Sequence, residues 1–363
     1  MPVVSNFTFN TTNASSGDEP SEEILVREPD WFLAILILII IVTVTGNTLI
    51  CIVFLATKRL RTAFNYYIFN LAVVDLLVGV IAMPGFTIYN MYDGVWPYST
   101  ALCSAWMYFD WCMTFESTIT LAAMGLDRYW SIISPISYRT SHTTTTTILI
   151  ILATWVYMHI SYVPGYIYDR VVNVYQPHDC FWDLTKNVRF AIPVAVLGYY
   201  LPLIVMIYCN FAIARVMRNR QTKTQAATVA TSATLSEAEK LRNRTVQMKA
   251  ARERRSLITM GLITACAVVS WAPWVFYFTV APHYPGLLPG KLVDVGYWMC
   301  YINSTLNPYL YIGTSEDFRK ACRALFCRGE EKSKSRVGPA TTAVSTTKAA
   351  AISVAPETPT FEL

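Results

Sequence analysis

A chain of 363 residues that is 54% hydrophobic and only 15% charged is too apolar for a soluble domain of its length. Its net charge of +5, from 29 Lys and Arg against 24 Asp and Glu, is modest, and no nucleic-acid partner is expected. Stretches such as Trp31 to Thr57 and Ser256 to Pro282 are almost free of charge and exceed the ~20 apolar residues that cross a bilayer, so a soluble enzyme is excluded and an integral membrane protein is expected.

The first 30 residues are polar, with sequons at Asn6, Asn10 and Asn13 and a run of acids from Asp18 to Asp30. They read as an extracellular glycosylated tail (1–30) without a removable signal peptide, so the first span does the targeting. Hydrophobic runs then predict seven spans near 32–57, 66–91, 100–133, 147–168, 189–217, 250–281 and 289–313. An odd number places the termini on opposite sides. With the N-terminus outside, the exterior holds Arg27, Arg170, Lys186, Arg189 and Lys291, five of 29 basic residues, which satisfies the positive-inside rule.

The seven-helix receptor region is thus expected over 31–314, with a long basic cytoplasmic loop at about 218–250 whose ends continue the flanking helices. After the last span, 315–327 reads as an amphipathic membrane-surface helix, with Phe318, Cys322, Leu325 and Phe326 opposite Arg319, Lys320 and Arg323. Cys322 and Cys327 stand where palmitate attaches, although each also fits a plain apolar contact. Residues 328–363 read as a disordered cytoplasmic tail. The fold class is an all-α membrane protein, a seven-transmembrane helix bundle with a short amphipathic helix after the last span.

Nine cysteines without CxxC pairs, and four histidines (His142, His159, His178, His283) without ligand spacing, speak against zinc or redox chemistry. Ionisable groups within spans are costly and mark function, which leaves Asp75, Asp110, Glu116, Asp127 and Arg128 as the informative set. Asp110 and Arg128 are 18 residues apart, five whole helical turns and about 27 Å, so they share one face at opposite membrane boundaries. Glu116 is rotated off that face and points at a neighbouring helix, as a protonated or hydrogen-bonded structural group.

Asp110 needs a cation or water around it, and no Lys or Arg of the nearby spans is an internal mate, so a ligand ammonium is the natural partner. Trp111, Trp271, Trp274, Tyr297 and Tyr301 are placed to form an aromatic box for it, with Thr114 and Val275 completing the candidate ligand-binding set. An interhelical hydrogen-bonded Asp, with aromatics that merely pack, is the alternative.

Asn47 in GNTLI, Asp75 in NLAVVD, Asp127-Arg128-Tyr129, Trp155, Trp271-Ala272-Pro273 and Asn307-Pro308-Tyr309-Leu310-Tyr311 together resemble a rhodopsin-like G-protein-coupled receptor over about residues 30 to 327. The resemblance implies a disulfide between Cys103 and Cys180, a multi-pass plasma-membrane location, and heterotrimeric G proteins, arrestin and membrane lipids as partners. Asp110 falls where receptors for biogenic amines and acetylcholine carry the carboxylate that grips the ammonium, so the ligand is expected to be a small cationic amine. The run Gly296 to Pro308 resembles muscarinic receptors, and Asn210 resembles presynaptic-type histamine receptors. Val275, Val194, Ala195 and Gly198 depart from the polar residues that identify ligands elsewhere in the family, and Ala267 and Thr118 depart from its usual core switch.

The resemblance also implies a mechanism. Arg128 is a latch paired with Glu253 in the closed state, with a surface pairing of Glu253 to Arg252 or Arg254 as the alternative. Asp75, Ser117, Asn303 and Asn307 form an oxygen-rich cluster suited to a small hard cation, by resemblance sodium, or a merely hydrogen-bonded polar cluster. Pro273 and Pro308 kink the sixth and seventh spans, and Tyr129, Asn307 and Tyr311 complete the switch. An organic-cation transporter lacks the internal repeats it predicts. An opsin fails because Tyr301 stands where retinal needs a lysine, and a rhodopsin-like receptor for a non-amine ligand stays open.

Overall fold

The computed structural model describes residues 30–176, 178–182, 188–230, 237–280, 283–284 and 290–334, with side chains omitted at 221–244, at 252–254 and at 326–334 among others. The asparagine sequons at 6, 10 and 13 and the tail beyond 334 lie outside the described residues. Among the described residues seven long helices follow one another: Asp30–Ala56, Ala63–Met91, Thr100–Ile133, Thr144–Val172, a fifth from Val188–Ala195 through to Leu201–Ala230, Glu237–Val280 and Gly290–Thr314. A last helix, Glu316–Lys334, carries the amphipathic segment. A short helix, Pro135–Ser141, joins the third span to the fourth.

Local chemistry sets the helix starts. Ser99 and Thr143 cap the third and fourth helices, their side chains accepting from Leu102 N at 3.3 Å and Thr146 N at 3.1 Å. The sixth helix begins well before the expected span, because its basic cytoplasmic extension keeps helical backbone after the hydrophobic signal ends.

Five of the described helices are long and apolar enough to cross a membrane by composition alone; the third and seventh are not among them. The cause is their content. The third carries Asp110, Glu116, Asp127 and Arg128, and the seventh carries Lys291, Asp294, Asn303 and Asn307. Their neighbours cover the polar cost: most of the third helix between Cys103 and Ile132 is buried, Phe109 and Leu126 being exposed, whereas Ile160 (70% exposed) and Phe211 (66%) on outer helices turn apolar surface outward, as a lipid-facing bundle requires.

Two π-turns adjust the register of the second and fifth helices, at Val78–Ala82 and Val196–Tyr200. In the fifth, Leu201 N bonds Val196 O, but the next donor in that register would be Pro202, which has no N–H. Tyr157 of the fourth helix fills the vacancy, its hydroxyl donating to Leu197 O at 2.9 Å. At the second-helix turn, Trp106 Nε1 donates to Ala82 O at 3.1 Å. The indole fits there because Gly85 has no side chain; a Cβ at that position would lie 2.1 Å from Trp106 Nε1.

Candidate functional site

Asp110 is buried on the third helix (1% exposed), and the helix opposite supplies its partners. Tyr301 donates its hydroxyl to Oδ1 at 2.6 Å, and Tyr297, four residues earlier on the same face, donates to Oδ2. Among the described residues no Lys, Arg or His forms an ion pair with Asp110. Two neutral donors satisfy the carboxylate without cancelling its charge, so the site remains electronegative.

Aromatic rings continue from this anchor. Tyr297 lies 4.6 Å from Trp274 and 4.4 Å from Phe86, and Trp111 lies 6.3 Å from Trp274 and 5.5 Å from Phe278. Faces of this kind attract an ammonium by about 0.5–2 kcal/mol each once water is excluded. The candidates Asp110, Trp111, Trp274, Tyr297 and Tyr301 are therefore brought into one cluster. Trp271 sits deeper, edge-on to Tyr199 at 4.3 Å, with its indole nitrogen unbonded, and Val275 is buried one turn further along the same helix. Thr114 turns its hydroxyl back onto the Asp110 carbonyl, so its hydrogen is already used.

The sequence reading missed Phe86, Phe115, Tyr162, Tyr199, Phe278 and Trp182. Trp182 is the most consequential: wholly buried, it packs at 5.1 Å against Trp111 and 5.7 Å against Tyr162, roofing the cluster. The Cys103–Cys180 disulfide tethers it from two residues away, a signal that was present in the sequence. Arg170 holds the same strip from the other side, donating to Phe181 O at 2.7 Å while paired with buried Asp169 at 2.7 Å. On the fifth helix Val194, Ala195 and Gly198 offer no polar side chain, and Phe115 fills the space beside Gly198, where a Cβ would meet its ring at 2.7 Å.

A second constellation lies along the same third helix. Asp75 accepts from Ser117 Oγ at 2.9 Å and from Asn307 Nδ2 at 2.7 Å, all within a buried core. Asn303 is buried beside them on the seventh helix, and its Oδ1 has no hydrogen-bond partner. One carboxylate, a hydroxyl and an unbonded amide oxygen are the hard donors that a small cation takes, so the residues fit such an ion. Among the described residues there is no group of three His, Cys, Asp or Glu side chains that could hold a transition metal.

At the opposite end of the third helix Asp127 binds His142 Nε2 at 2.7 Å and Tyr138 Oη at 3.1 Å, with the imidazole stacked on the Tyr138 ring at 4.1 Å. Arg128 lies over the Phe64 ring of the second helix, 3.1 Å from its centroid. The side chain of Glu253, the expected partner of Arg128, lies outside the described residues. At the same end Arg255 pairs with Glu316. Tyr129 meets Tyr208 at 5.8 Å, Tyr311 is buried against Phe318, and the Pro308 ring packs against Gly46, where a Cβ would lie 2.9 Å away. Pro273 lies within the sixth helix, as expected. Cys322 is buried, which pushes its thiol up from the ordinary range, and the Cys327 side chain lies outside the described residues.

Comparison with known proteins places this geometry. Residues 46–311 match the family model described as 7 transmembrane receptor (rhodopsin family). Octopamine receptor beta-2R of Drosophila melanogaster is 28% identical, over 89% of this chain and 68% of the relative. Histamine H2 receptor of Cavia porcellus is 28% identical, over 81% of this chain and 78% of the relative. 5-Hydroxytryptamine receptor 1B of Mus musculus is 26% identical, over 81% and 86%. The match reaches from within the first helix into the seventh and covers most of the chain, and the protein belongs to the rhodopsin family of seven-transmembrane receptors.

Proposed function

We propose that this chain is a plasma-membrane receptor for a small biogenic amine and that its ligand's ammonium sits on Asp110. The observation that carries the reading is a buried carboxylate with two tyrosine donors, aromatic rings around it and no basic partner among the described residues. Its relatives named for octopamine, histamine and 5-hydroxytryptamine support the same class. The likeness of Gly296 to Pro308 to muscarinic receptors adds acetylcholine to the candidates.

Signalling follows as a population shift: an amine with higher affinity for one helix arrangement moves the equilibrium toward it, and the end carrying Arg128 opens to a heterotrimeric G protein. Arrestin would use the same end. The N-terminus is extracellular, with glycans on Asn6, Asn10 and Asn13, and Cys327 or Cys322 carries palmitate. A sodium ion held by Asp75, Ser117, Asn303 and Asn307 would supply the positive charge that this buried carboxylate lacks.

The test is a panel of octopamine, histamine, serotonin, catecholamines, trace amines and acetylcholine, read as nucleotide exchange on G proteins by native and Asp110→Asn protein. An amine that activates the native chain and fails on the variant is the expected result. Equal activation of both would overturn the anchor, and uptake of labelled amine without nucleotide exchange would indicate a transporter instead.

A further inference from the structure

Tyr199 stands in the π-turn of the fifth helix, Val196–Tyr200, and with Gly198 it is the part of that turn that is buried. An extra residue in a turn changes which side chains face the core, and such turns recur at functional sites. The ring lies edge-on to Trp271 at 4.3 Å and to Phe115 at 5.4 Å, held between the sixth helix and the third. Its hydroxyl comes up beside the Cys300 thiol of the seventh helix, next in sequence to Tyr301, and lies within the field of Asp110.

Polar groups at this depth are short of partners. The Tyr199 hydroxyl is buried without a hydrogen-bond partner, and so is the Trp271 indole nitrogen. Cys300 does not relieve the tyrosine, because its thiol hydrogen is directed at Gly296 O, 3.4 Å away, and sulfur is a weak acceptor. Ser270, next to Trp271 in sequence, turns its hydroxyl back onto Ala267 O at 3.2 Å, and Thr114 does the same onto Asp110 O. Buried polar groups are nearly always bonded, so a bare pair marks the place of a missing partner. The chemistry of that partner follows from its surroundings. A cation belongs on Asp110 itself, an anion is repelled by the same carboxylate, and an apolar group leaves both atoms bare. A tyrosine hydroxyl donates or accepts and an indole N–H only donates, so a neutral oxygen with free lone pairs suits both. Val194, Ala195 and Gly198 of the same helix place no polar side chain in competition.

We propose that Tyr199 is a specificity-determining residue of the amine site: its hydroxyl bonds a neutral oxygen carried by the ligand whose ammonium rests on Asp110, with the Trp271 N–H as a second donor. The assignment rests on the amine reading and narrows it to amines that bear such an oxygen. An amine without one leaves the tyrosine bare and binds more weakly by the worth of one neutral hydrogen bond, roughly tenfold. In the ligand-free protein the same bare hydroxyl lowers stability, so removing it relieves the fold while harming recognition.

The experiment uses the full chain in detergent micelles and three probes: phenethylamine, and its two singly hydroxylated forms, phenylethanolamine and tyramine. By titration calorimetry at least one hydroxylated probe is expected to bind native protein roughly tenfold more tightly than phenethylamine. In Tyr199→Phe that gain is expected to vanish while phenethylamine binds as before. Without ligand, Tyr199→Phe is expected to unfold at a higher temperature than native protein. No gain from either hydroxyl, a gain that survives Tyr199→Phe, or an unchanged or lowered unfolding temperature of the ligand-free variant would overturn the proposal. Asp110→Asn keeps the two readings apart. Probes that bind native but not Asp110→Asn protein, with no gain from a hydroxyl, sink the role of Tyr199 alone, whereas probes that bind neither protein sink the amine reading and this one with it.

Discussion

At the scale of single residues, the proposed amine anchor draws on neutral donors as well as on Asp110. Tyr301 and Tyr297 each hold one carboxylate oxygen, and a hydrogen bond to a charged group contributes about 1.5–3 kcal/mol. Tyr301→Phe is therefore expected to weaken amine binding roughly ten- to a hundredfold, measured by competition on membranes; unchanged affinity would remove the tyrosine from the site. Gly198 makes the opposite point. A serine there, a polar residue of the kind that this part of the fifth span lacks, would drive a Cβ to 2.7 Å from the Phe115 ring. Overpacking of this kind costs about 1–3 kcal/mol, so Gly198→Ser is expected to lower the unfolding temperature and to gain no catecholamine response. Asp110, Trp111, Trp274, Tyr297 and Tyr301 were legible in the sequence because helical spacing sets which side chains share a face. Phe115 against Gly198 was not, because which ring fills a gap depends on how close two helices come.

At the scale of helices, periodicity found the seven spans and missed the two π-turns. A single extra residue per turn leaves composition unchanged while rotating everything beyond it, so Phe86, which follows the second-helix turn, could not be assigned to the site from spacing. The repair at the fifth-helix turn is open to test. Tyr157→Phe would leave Leu197 O without the donor that Pro202 cannot replace, and an unsatisfied buried acceptor costs about 1–3 kcal/mol. A lowered unfolding temperature in detergent is the expected outcome; an unchanged one would mean that the backbone satisfies this carbonyl by itself. The third and seventh helices show why hydropathy understates a receptor: the segments that carry its chemistry are the ones whose polar content disqualifies them as simple spans.

At the scale of the whole molecule, one helix carries Asp110, Glu116, the Ser117 bond to Asp75 and the Arg128 end, so a displacement of that helix moves all four together. If the oxygen cluster at Asp75 holds sodium, adding sodium chloride is expected to raise the unfolding temperature of native protein above that in potassium chloride of equal strength. Asp75→Asn should abolish the difference, and an equal response of both proteins would leave only a hydrogen-bonded cluster. The order of signatures along the chain disclosed the family, and Cys180 beside Trp182 marked the strip that roofs the site, whereas which rings Trp182 covers emerged only from folding, because Trp111 and Tyr162 are remote from it in sequence. That roof has a consequence in time. If an amine occupies the cluster beneath it, an indole held by a disulfide on one flank and an arginine on the other is expected to slow its departure.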